Sequence, residues 1–294
     1  MRFFNITESN IEATNNAFSA SCEKRGIDYI QVDPEYFDYQ HSDRPEPGDL
    51  MYRTAVDMAC IRLEHLLYQE GVATLYRNGP FFECFNQIEY LSRHGIPTPK
   101  MVYSVKRSRE TLLSHVDYLG GYPLVLKIPG SEGGVGVIKV ESNESLFSLI
   151  DYLAYSPLMM NYFDHIVSYR LIVLGNEVID CEARCSGAMD FRTNAWGGDS
   201  LGQVDASDEV KQIAIDAAGL LNIEFGGVDI MQSETGELCF CELNFPCYFA
   251  DQQRDSGVEI SGKIIDYLAG KVTQGSLSKQ ALHPNPSTLS GLSE

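Results

Sequence analysis

Two carboxylates and one amide, spaced to meet on a single β-hairpin, form the most informative pattern in the sequence. Two apolar runs flank a polar turn that we centre between Thr235 and Gly236, which predicts a hairpin. Asp229 then lies directly opposite Glu242, and Asn244, two positions further on, points to the same face of the sheet. Facing β-carbons in a hairpin are about 5 Å apart, where like charges repel. A cation held between the two acids would relieve that repulsion.

The donor atoms of this hairpin are all oxygens, without histidine or cysteine, and such ligands suit Mg²⁺ or Mn²⁺. Two other interpretations stay open at this point: a pair of solvated carboxylates on a sheet face, or an acid pair that keeps a proton because mutual repulsion raises its pKa. A zinc site built from Cys181/Cys185 and Cys239/Cys241 is disfavoured because the spacings do not match paired zinc-binding motifs.

A glycine-rich loop with a preceding lysine is the second pattern. The apolar run 124–128 contains Lys127 and leads into the loop 129–136, and a further apolar run follows. Because strands flank the loop on both sides, neither a P-loop nor a dinucleotide-binding loop fits, since both of those open a helix. A glycine hairpin can instead fold over phosphates with its backbone N–H groups, with Lys127 as a point charge. Alternatively, this is a flexible turn beside an exposed lysine.

Three arginines, Arg170, Arg184 and Arg192, together with Asn194, form a modest positive cluster in the segment 161–200. Arginine suits planar, bidentate contact with carboxylate or phosphoryl oxygens. The alternative is salt bridging with the plentiful acids. The six histidines are scattered, and no GxSxG motif occurs, so nucleophilic catalysis is not favoured.

The helices and strands that would position these residues indicate an α/β (α+β) protein with several domains. Alternating strands and helices in residues 1–95 suggest a small parallel sheet. The segment Gly95-Ile-Pro-Thr-Pro99 breaks a helix and marks a boundary. Residues 96–160 contain the glycine loop, residues 161–272 contain the carboxylate hairpin, and residues 273–294 are predicted to be a disordered tail.

The charge composition disfavours two classes of binding partner. The formal net charge of −19 repels nucleic acid and anionic membrane surfaces, so we expect neither as a partner. No apolar run is long enough to span a membrane, and the N-terminus becomes polar too early for a signal peptide. The expected location is therefore the cytoplasm. The eight cysteines are expected to be reduced thiols in the core.

Taken together and in order, these segments resemble the ATP-grasp fold, and most closely its RimK-like carboxylate–amine ligases. The resemblance covers about residues 80–270 and rests on these segments: Gly95-Ile-Pro-Thr-Pro99, Gly120-Gly-Tyr-Pro-Leu-Val-Leu-Lys127, Gly130-Ser-Glu-Gly-Gly-Val-Gly-Val137, Arg170-Leu-Ile-Val-Leu-Gly175, Arg184, Phe191-Arg-Thr-Asn194 with Gly197-Gly198, Gly227-Val-Asp229 and Glu242-Leu-Asn-Phe-Pro246. It implies an N-terminal pre-ATP-grasp domain, a central lid subdomain and a C-terminal subdomain with the metal site, followed by the tail.

The resemblance also implies roles for individual residues. Arg184 would stabilise the transferred phosphoryl group, and Arg192 would sit near the acid or the phosphates, so both are candidate catalytic residues. The expected ATP-binding residues are Lys127, Gly130, Ser131, Gly133, Gly134 and Gly136 for the phosphates, and Met160, Asn161 and Tyr162 at the adenine. The expected metal ligands are Asp229, Glu242 and Asn244, holding Mg²⁺ (or Mn²⁺).

The implied activity is ATP- and Mg-dependent amide (peptide) bond formation between a carboxylate and an amine, through an acyl phosphate, in a biosynthetic or modification pathway. The implied substrates are small molecules, amino acids or peptides, and family members often form homodimers. Two positions depart from the family pattern: Cys84 stands where a second ATP-binding lysine is usual, and Pro246-Cys247 replaces a Pro-Gly pair. The alternatives are kinase-type phosphoryl transfer, a nucleotide-binding protein without catalysis, and a protein that binds no nucleotide.

Overall fold

A computed structural model describes residues 1–8, 11–75, 84–103, 105, 107–128, 134–154, 156–186, 190–193 and 198–282. Within those residues the elements follow in the order β1 (Arg2–Ile6), α1 (Glu12–Arg25), β2 (Asp28–Val32), β3 (Leu50–Arg53), α2 (Met58–Leu67), α3 (Cys84–Arg93), β4 (Met101–Val102), α4 (Arg109–Leu119), β5 (Leu124–Lys127), β6 (Val137–Val140), α5 (Asn143–Tyr152), β7 (Leu158–Asn161), β8 (Val167–Leu174), β9 (Glu177–Ser186), β10 (Gly198–Gln203), α6 (Asp208–Leu220), β11 (Phe225–Gln232), β12 (Leu238–Asn244), α7 (Ala250–Ser256) and α8 (Ile260–Leu282).

The chain forms two compact units, one of Met1–Arg77 with Pro246–Glu294 and one of Asn78–Phe245. The first unit therefore combines both ends of the chain. The proposed division into 1–95, 96–160, 161–272 and 273–294 follows sequence features instead, and it stays a prediction. No described helix has both the length and the apolar character required to cross a membrane.

The first unit is built on a parallel sheet with the strand order β2-β1-β3, as the alternating pattern predicted. Phe18 of α1 packs against Phe3 of β1 and against Phe249, with ring centroids 5.0 and 5.5 Å away. Helix α1 ends at Gly26, whose φ of +61° is the left-handed conformation that a helix-terminating glycine adopts at low cost.

Helix α8 corrects the prediction of a disordered tail for residues 273–282, because it continues to Leu282. The stretch from Thr273 to Leu282 has no proline, and its lysine, glutamine, alanine and leucine residues favour a helix, although Gly275 disfavours one. The first proline of the tail is Pro284, and residues 283–294 lie outside the described part of the chain.

The second unit contains two sheets. A four-stranded sheet has the order β4-β7-β5-β6, and a five-stranded antiparallel sheet has the order β10-β9-β8-β11-β12. Helices α4 and α5 cover the smaller sheet through a core of leucines and valines, including Leu112, Leu126 and Leu146. Helices α3 and α6 cover one face of the larger sheet, where Leu91, Ala214 and Val228 are buried. The other face of the larger sheet carries the charged row formed by residues of β8, β9, β11 and β12.

Candidate active site

Strand β11 forms the centre of the candidate site, because it pairs with β12 on one side and with β8 on the other. Asp229 of β11 lies opposite Glu242 of β12 and opposite Arg170 of β8. The predicted facing pair of carboxylates is therefore confirmed. Arg170 in turn lies opposite Glu182 of β9, so four charged residues form a row across four strands.

A β-bulge in β12 determines that pairing. The hairpin turn is closed by a hydrogen bond of 3.0 Å from the Gly236 N–H to the Ser233 carbonyl and one of 2.9 Å from the Ser233 N–H to the Glu237 carbonyl. The centre of the turn is therefore Thr235 itself, and the predicted centre between Thr235 and Gly236 was wrong by half a residue. An extra residue in β12, Cys241, compensates for that error.

The bulge also separates the two faces of β12. Ile230 pairs with Phe240, whereas Asp229 pairs with Glu242, so the register shifts at Cys241. Phe240 is fully buried in the core on the helix-covered face. Glu242, only two residues further, faces the opposite side. In a regular strand residues two apart share a face, so the bulge lets β12 supply both a core aromatic residue and a site carboxylate.

Asn244 lies on the same face as the two acids, as its position in the sequence predicted, and the structure shows that it also connects them. Its Nδ2 donates to Glu242 Oε1 at 3.1 Å and to Asp229 Oδ2 at 3.3 Å. A half turn of this amide would present its oxygen in place of the NH₂ group, so one side chain can hold the acids together or supply a third oxygen ligand. Two carboxylates and an amide oxygen on adjacent strands fit a hard divalent cation such as Mg²⁺.

The electrostatics of Asp229 fit the same interpretation. Its side chain is only 23% exposed. Burial raises the pKa of Asp229 above its ordinary value; Arg170 and Lys127 oppose that rise, whereas the neighbouring Glu242 carboxylate adds to it. Burial and mutual repulsion both disfavour the ionised form of such an acid pair. A nearby positive charge would therefore stabilise the two ionised carboxylates.

Lys127 is the last residue of β5, and its ammonium is near enough to Asp229 to oppose the rise in the pKa of that carboxyl group. Its Nζ lies 3.9 Å from Sγ of the bulged residue Cys241. The glycine loop that follows is described from Gly134 onward, where Gly134 and Gly136 have positive φ angles of +77° and +76°. The Ile128 N–H donates to the Gly136 carbonyl at 3.0 Å, so the loop closes as a hairpin. Gly130, Ser131 and Gly133 lie outside the described residues.

The two candidate catalytic arginines have different surroundings. Arg184 lies on β9, two residues from Glu182, and its Nη2 donates to Glu182 Oε1 at 3.1 Å. It therefore lies on the same face as the charged row, with its side chain 34% exposed. Arg192 instead donates through Nε and Nη2 to the Asp190 carboxylate, which lowers the pKa of Asp190.

Arg192 also reaches the glycine loop. Its Nη1 donates to the carbonyl of Gly134 at 2.9 Å. Its neighbour Phe191 contacts the ring of Tyr162 edge-on at 5.8 Å, and the Lys139 ammonium lies 4.4 Å from the centroid of the same ring. The segment that carries Arg192 is thus attached both to the loop and to the end of β7. Asn194 lies outside the described residues.

The three residues expected at the adenine lie at the end of β7. Met160 is buried in the core, and Asn161 Oδ1 accepts from the Lys100 N–H at 2.7 Å. The hydroxyl of Tyr162 donates to Asp164 at 3.2 Å. Their roles at a nucleotide stay predictions.

Two residues near the site were missed by sequence reasoning. Arg170 was recognised only as part of a positive cluster, because its contact with Asp229 depends on β8 lying beside β11, and these strands are not consecutive in the chain. Gln87 of α3 is buried and bonds to the backbone of Leu243, between the metal-ligand candidates Glu242 and Asn244. A single glutamine in a helix carries no signal for such a contact.

Comparison with known proteins places this geometry in context. The family model described as the RimK-like ATP-grasp domain matches residues 83–268, which is more than half of the chain. Among curated relatives, a probable alpha-L-glutamate ligase from Enterobacter sp. (strain 638) is 30% identical over 64% of this chain and 63% of its own length. A probable alpha-L-glutamate ligase from Haemophilus influenzae is 28% identical over 73% and 72%. A ribosomal protein bS6--L-glutamate ligase from Salmonella paratyphi B is 29% identical over 63% of each chain.

The chain thus spans about 63% of the length of the first of these relatives. Among solved structures, the ATP-grasp ligase PsnB complexed with minimal precursor, Mg and ADP has a TM-score of 0.71 at 17% identity, covering 92% of this chain and 97% of that one. A RiPP-associated ATP-grasp ligase from Chryseobacterium gregarium, in complex with ADP and a leader and core peptide, has a TM-score of 0.68 at 14% identity, with the same coverage. At these identities the structures show a shared fold.

Proposed function

The chain belongs to the RimK-like ATP-grasp family, and from that premise we propose that it is an ATP-dependent carboxylate–amine ligase. The observation that carries the proposal is the facing of Asp229 and Glu242 beside Lys127, with Asn244 hydrogen-bonded to both acids. This constellation has the oxygen ligands for a divalent cation and a lysine for phosphates, next to a loop of glycines. A kinase-type transfer or binding without turnover is the competing possibility.

The proposed reaction has two steps. A carboxylate oxygen of the acid attacks the γ-phosphorus of ATP, the bond to the bridging oxygen breaks, and ADP leaves with that oxygen. The amine nitrogen then attacks the carbonyl carbon of the acyl phosphate. The carbon–oxygen bond to the phosphate breaks, inorganic phosphate leaves, and the nitrogen loses a proton to give the amide.

The residues of this chain would act by positioning and by balancing charge. Asp229, Glu242 and Asn244 would hold Mg²⁺ or Mn²⁺, which supplies neutralisation of phosphate charge when bound. Lys127 would bind phosphate oxygens. Arg184 would stabilise the phosphoryl group on its way to the acid, and Arg192 would support the site from the glycine loop. The loop would exclude water, because hydrolysis of the acyl phosphate would waste ATP.

The relatives' names suggest the first substrates to try. They are called L-glutamate ligases, one of them acting on ribosomal protein bS6, so we propose glutamate and a peptide or protein as the first pair. A cytoplasmic location and a homodimer stay predictions from sequence. The formal net charge of −19 disfavours nucleic acid and membrane as partners.

The decisive experiment combines ADP release with product mass. The full chain is incubated with Mg-ATP, L-glutamate, other amino acids and peptides, and ADP, phosphate and new masses are recorded. With an acid labelled in its carboxylate by ¹⁸O, an acyl phosphate delivers one labelled oxygen to the phosphate released. Amide product with labelled phosphate supports the proposal.

The matched variants are Glu242→Gln in the site and Glu237→Gln at the exposed start of the same hairpin arm. We expect the first to abolish ADP release and the second to leave it unchanged. A phosphorylated product without amide would favour a kinase instead. Tight ATP binding without turnover across the whole panel would favour a non-catalytic nucleotide-binding protein, and full activity of Glu242→Gln would reject the metal role.

A further inference from the structure

Arg170 contacts both carboxylate oxygens of Asp229, which points to a role in the site. A single nitrogen of its guanidinium, Nη1, donates to Oδ1 at 2.9 Å and to Oδ2 at 2.8 Å. Both residues are half-buried, with side chains 23% exposed. Because each contact is a charge-assisted hydrogen bond, the pair fixes the rotation of the carboxylate as well as its position.

Gly227 makes this contact sterically feasible. It lies two residues before Asp229, on the same face of β11. A β-carbon at that position would lie 2.6 Å from Nε, 2.8 Å from Cζ and 2.9 Å from Nη2 of Arg170. The guanidinium therefore lies over the bare backbone of Gly227, in space that any side chain would occupy. An alanine there would displace Arg170 from its place beside Asp229 without changing the charge of the site.

The other acid next to Arg170 has a different partner. Glu182, opposite Arg170 on β9, accepts from Arg184 at 3.1 Å. A carboxylate offers about four acceptor positions, and Arg170 Nη1 and Asn244 Nδ2 account for three contacts with Asp229. If Asn244 turns its oxygen inward, as a metal ligand would, the orientation of Asp229 depends on Arg170.

We propose that Arg170 is a positioning residue that holds Asp229 in the orientation required for a divalent cation, and that Gly227 provides the space for it. This inference rests on the proposed function, since it takes the metal role of Asp229 as given. Hydrogen-bonding partners of metal ligands generally contribute roughly 10- to 100-fold to metal affinity, so an effect of that size is expected here.

The test measures Mn²⁺ binding in the presence of ADP, by the loss of the free Mn²⁺ electron paramagnetic resonance signal, on the full-length protein. The variants are Arg170→Met, which removes the guanidinium, Arg170→Lys, which keeps a charge, and Gly227→Ala, which displaces the guanidinium. Gly219→Ala on α6 is the control for an added methyl group. Apart from its chain neighbours and the backbone of its own helix, no atom of the described residues lies within 4 Å of the position that its β-carbon would take. Thermal unfolding checks that each variant is folded.

We expect Arg170→Met and Gly227→Ala to weaken Mn²⁺ binding by roughly 10- to 100-fold. Arg170→Lys should recover part of the loss, and Gly219→Ala should bind like wild type. If Arg170→Met does not fold, the Mn²⁺ affinities of Gly227→Ala and Arg170→Lys test the inference in its place. Wild-type or tighter binding in the folded variants overturns the inference.

The same titration on Glu242→Gln separates this inference from the proposed function. Loss of binding in Glu242→Gln together with unchanged binding in Arg170→Met and Gly227→Ala overturns only the role of Arg170. Unchanged binding in Gly227→Ala alone, with a loss in Arg170→Met, overturns only the role of Gly227. Equal binding by wild type and Glu242→Gln overturns the metal site itself, and with it both proposals.

Discussion

Gln87 of α3 and Leu243 of β12 exchange two hydrogen bonds of 2.9 Å, in which the side-chain Nε2 donates to the Leu243 carbonyl and Oε1 accepts from its N–H. The side-chain amide thus takes the place of a neighbouring strand at the outer edge of the sheet. Further along the same edge, the Phe240 N–H donates to the Pro97 carbonyl at 2.7 Å. These contacts hold the strand that carries Glu242 and Asn244.

Replacing Gln87 by leucine should therefore loosen β12 locally. The Leu243 N–H and carbonyl would lose buried partners, which costs about 1–3 kcal/mol. Amide exchange of a peptide covering Leu243, followed by mass spectrometry, should then be roughly 10- to 100-fold faster. Asn86→Leu, at the exposed neighbouring position of α3, is the control. Equal protection in both variants would contradict a role for Gln87 in fixing this strand.

Lys127→Met should weaken ATP binding. The loss of one charge-assisted contact is worth about 1.5–3 kcal/mol, which corresponds to roughly 10- to 100-fold in affinity. Displacement of a fluorescent ATP analogue by Mg-ATP measures the effect. Lys263→Met, an exposed lysine on α8, controls for the change in net charge. A wild-type affinity in Lys127→Met would remove Lys127 from the phosphate site.

Arg192→Met should release the glycine loop from the segment that carries Arg192. The hydrogen bond from Arg192 to the Gly134 carbonyl would be lost, and the backbone around residues 134–137 should exchange its amide hydrogens about tenfold faster. Asp190→Asn should have the same effect in weaker form, because Asp190 orients the guanidinium. If exchange there is unchanged while activity falls, Arg192 acts on the substrates and not through the loop.

Glu259 should contribute to the pH dependence of the first unit. Hydrogen bonds from Lys24 and Arg25 hold the pKa of Glu259 at about 2, below its ordinary value of 4.5. A lowered folded-state pKa means that the stabilisation is complete above pH 4.5 and is lost as the pH falls towards about 2. The side chain is 35% exposed, so solvent screening limits the contribution to less than about 1 kcal/mol.

The measurement is the melting temperature of wild type and Glu259→Gln between pH 7 and the acid range. We expect a small deficit for the variant at pH 7, which shrinks below pH 4.5. Glu234→Gln, exposed in the hairpin turn, should show no such convergence. A deficit that stays constant as the pH falls would mean that the charge of Glu259 contributes nothing.

The elements of the site that depend on local pattern were predictable from sequence. Two apolar runs on either side of a polar turn indicated a hairpin, and strand parity put Asp229, Glu242 and Asn244 on one face. The bulge at Cys241 was not predictable, because a single extra residue leaves no pattern of its own. The right pair was found because the bulge and the misplaced turn centre cancel.

Contacts between segments that are distant in the chain could not be predicted from the sequence. The pairing of β8 with β11, which places Arg170 at Asp229, follows from the order of strands in the sheet and not from their order in the chain. The packing of Phe249 on Phe18 joins residues near both ends of the chain and depends on tertiary structure. No local propensity encodes either contact.

The extra residue in β12 has a consequence for how this protein can change over time. The bulge divides β12 into two stretches in which the side chains alternate between the two faces of the sheet with opposite phase. The first stretch places Phe240 in the core, and the second places Glu242 and Asn244 in the candidate site. Point substitutions on the interior stretch leave the phase of the chemical stretch untouched. Loss of Cys241 would join Phe240 directly to Glu242, and neighbouring residues of a regular strand face opposite sides, so both side chains would keep their present faces. Loss of Leu243, by contrast, would put Glu242 and Asn244 on opposite faces, so the tolerance of this strand for a change in length depends on which residue is lost.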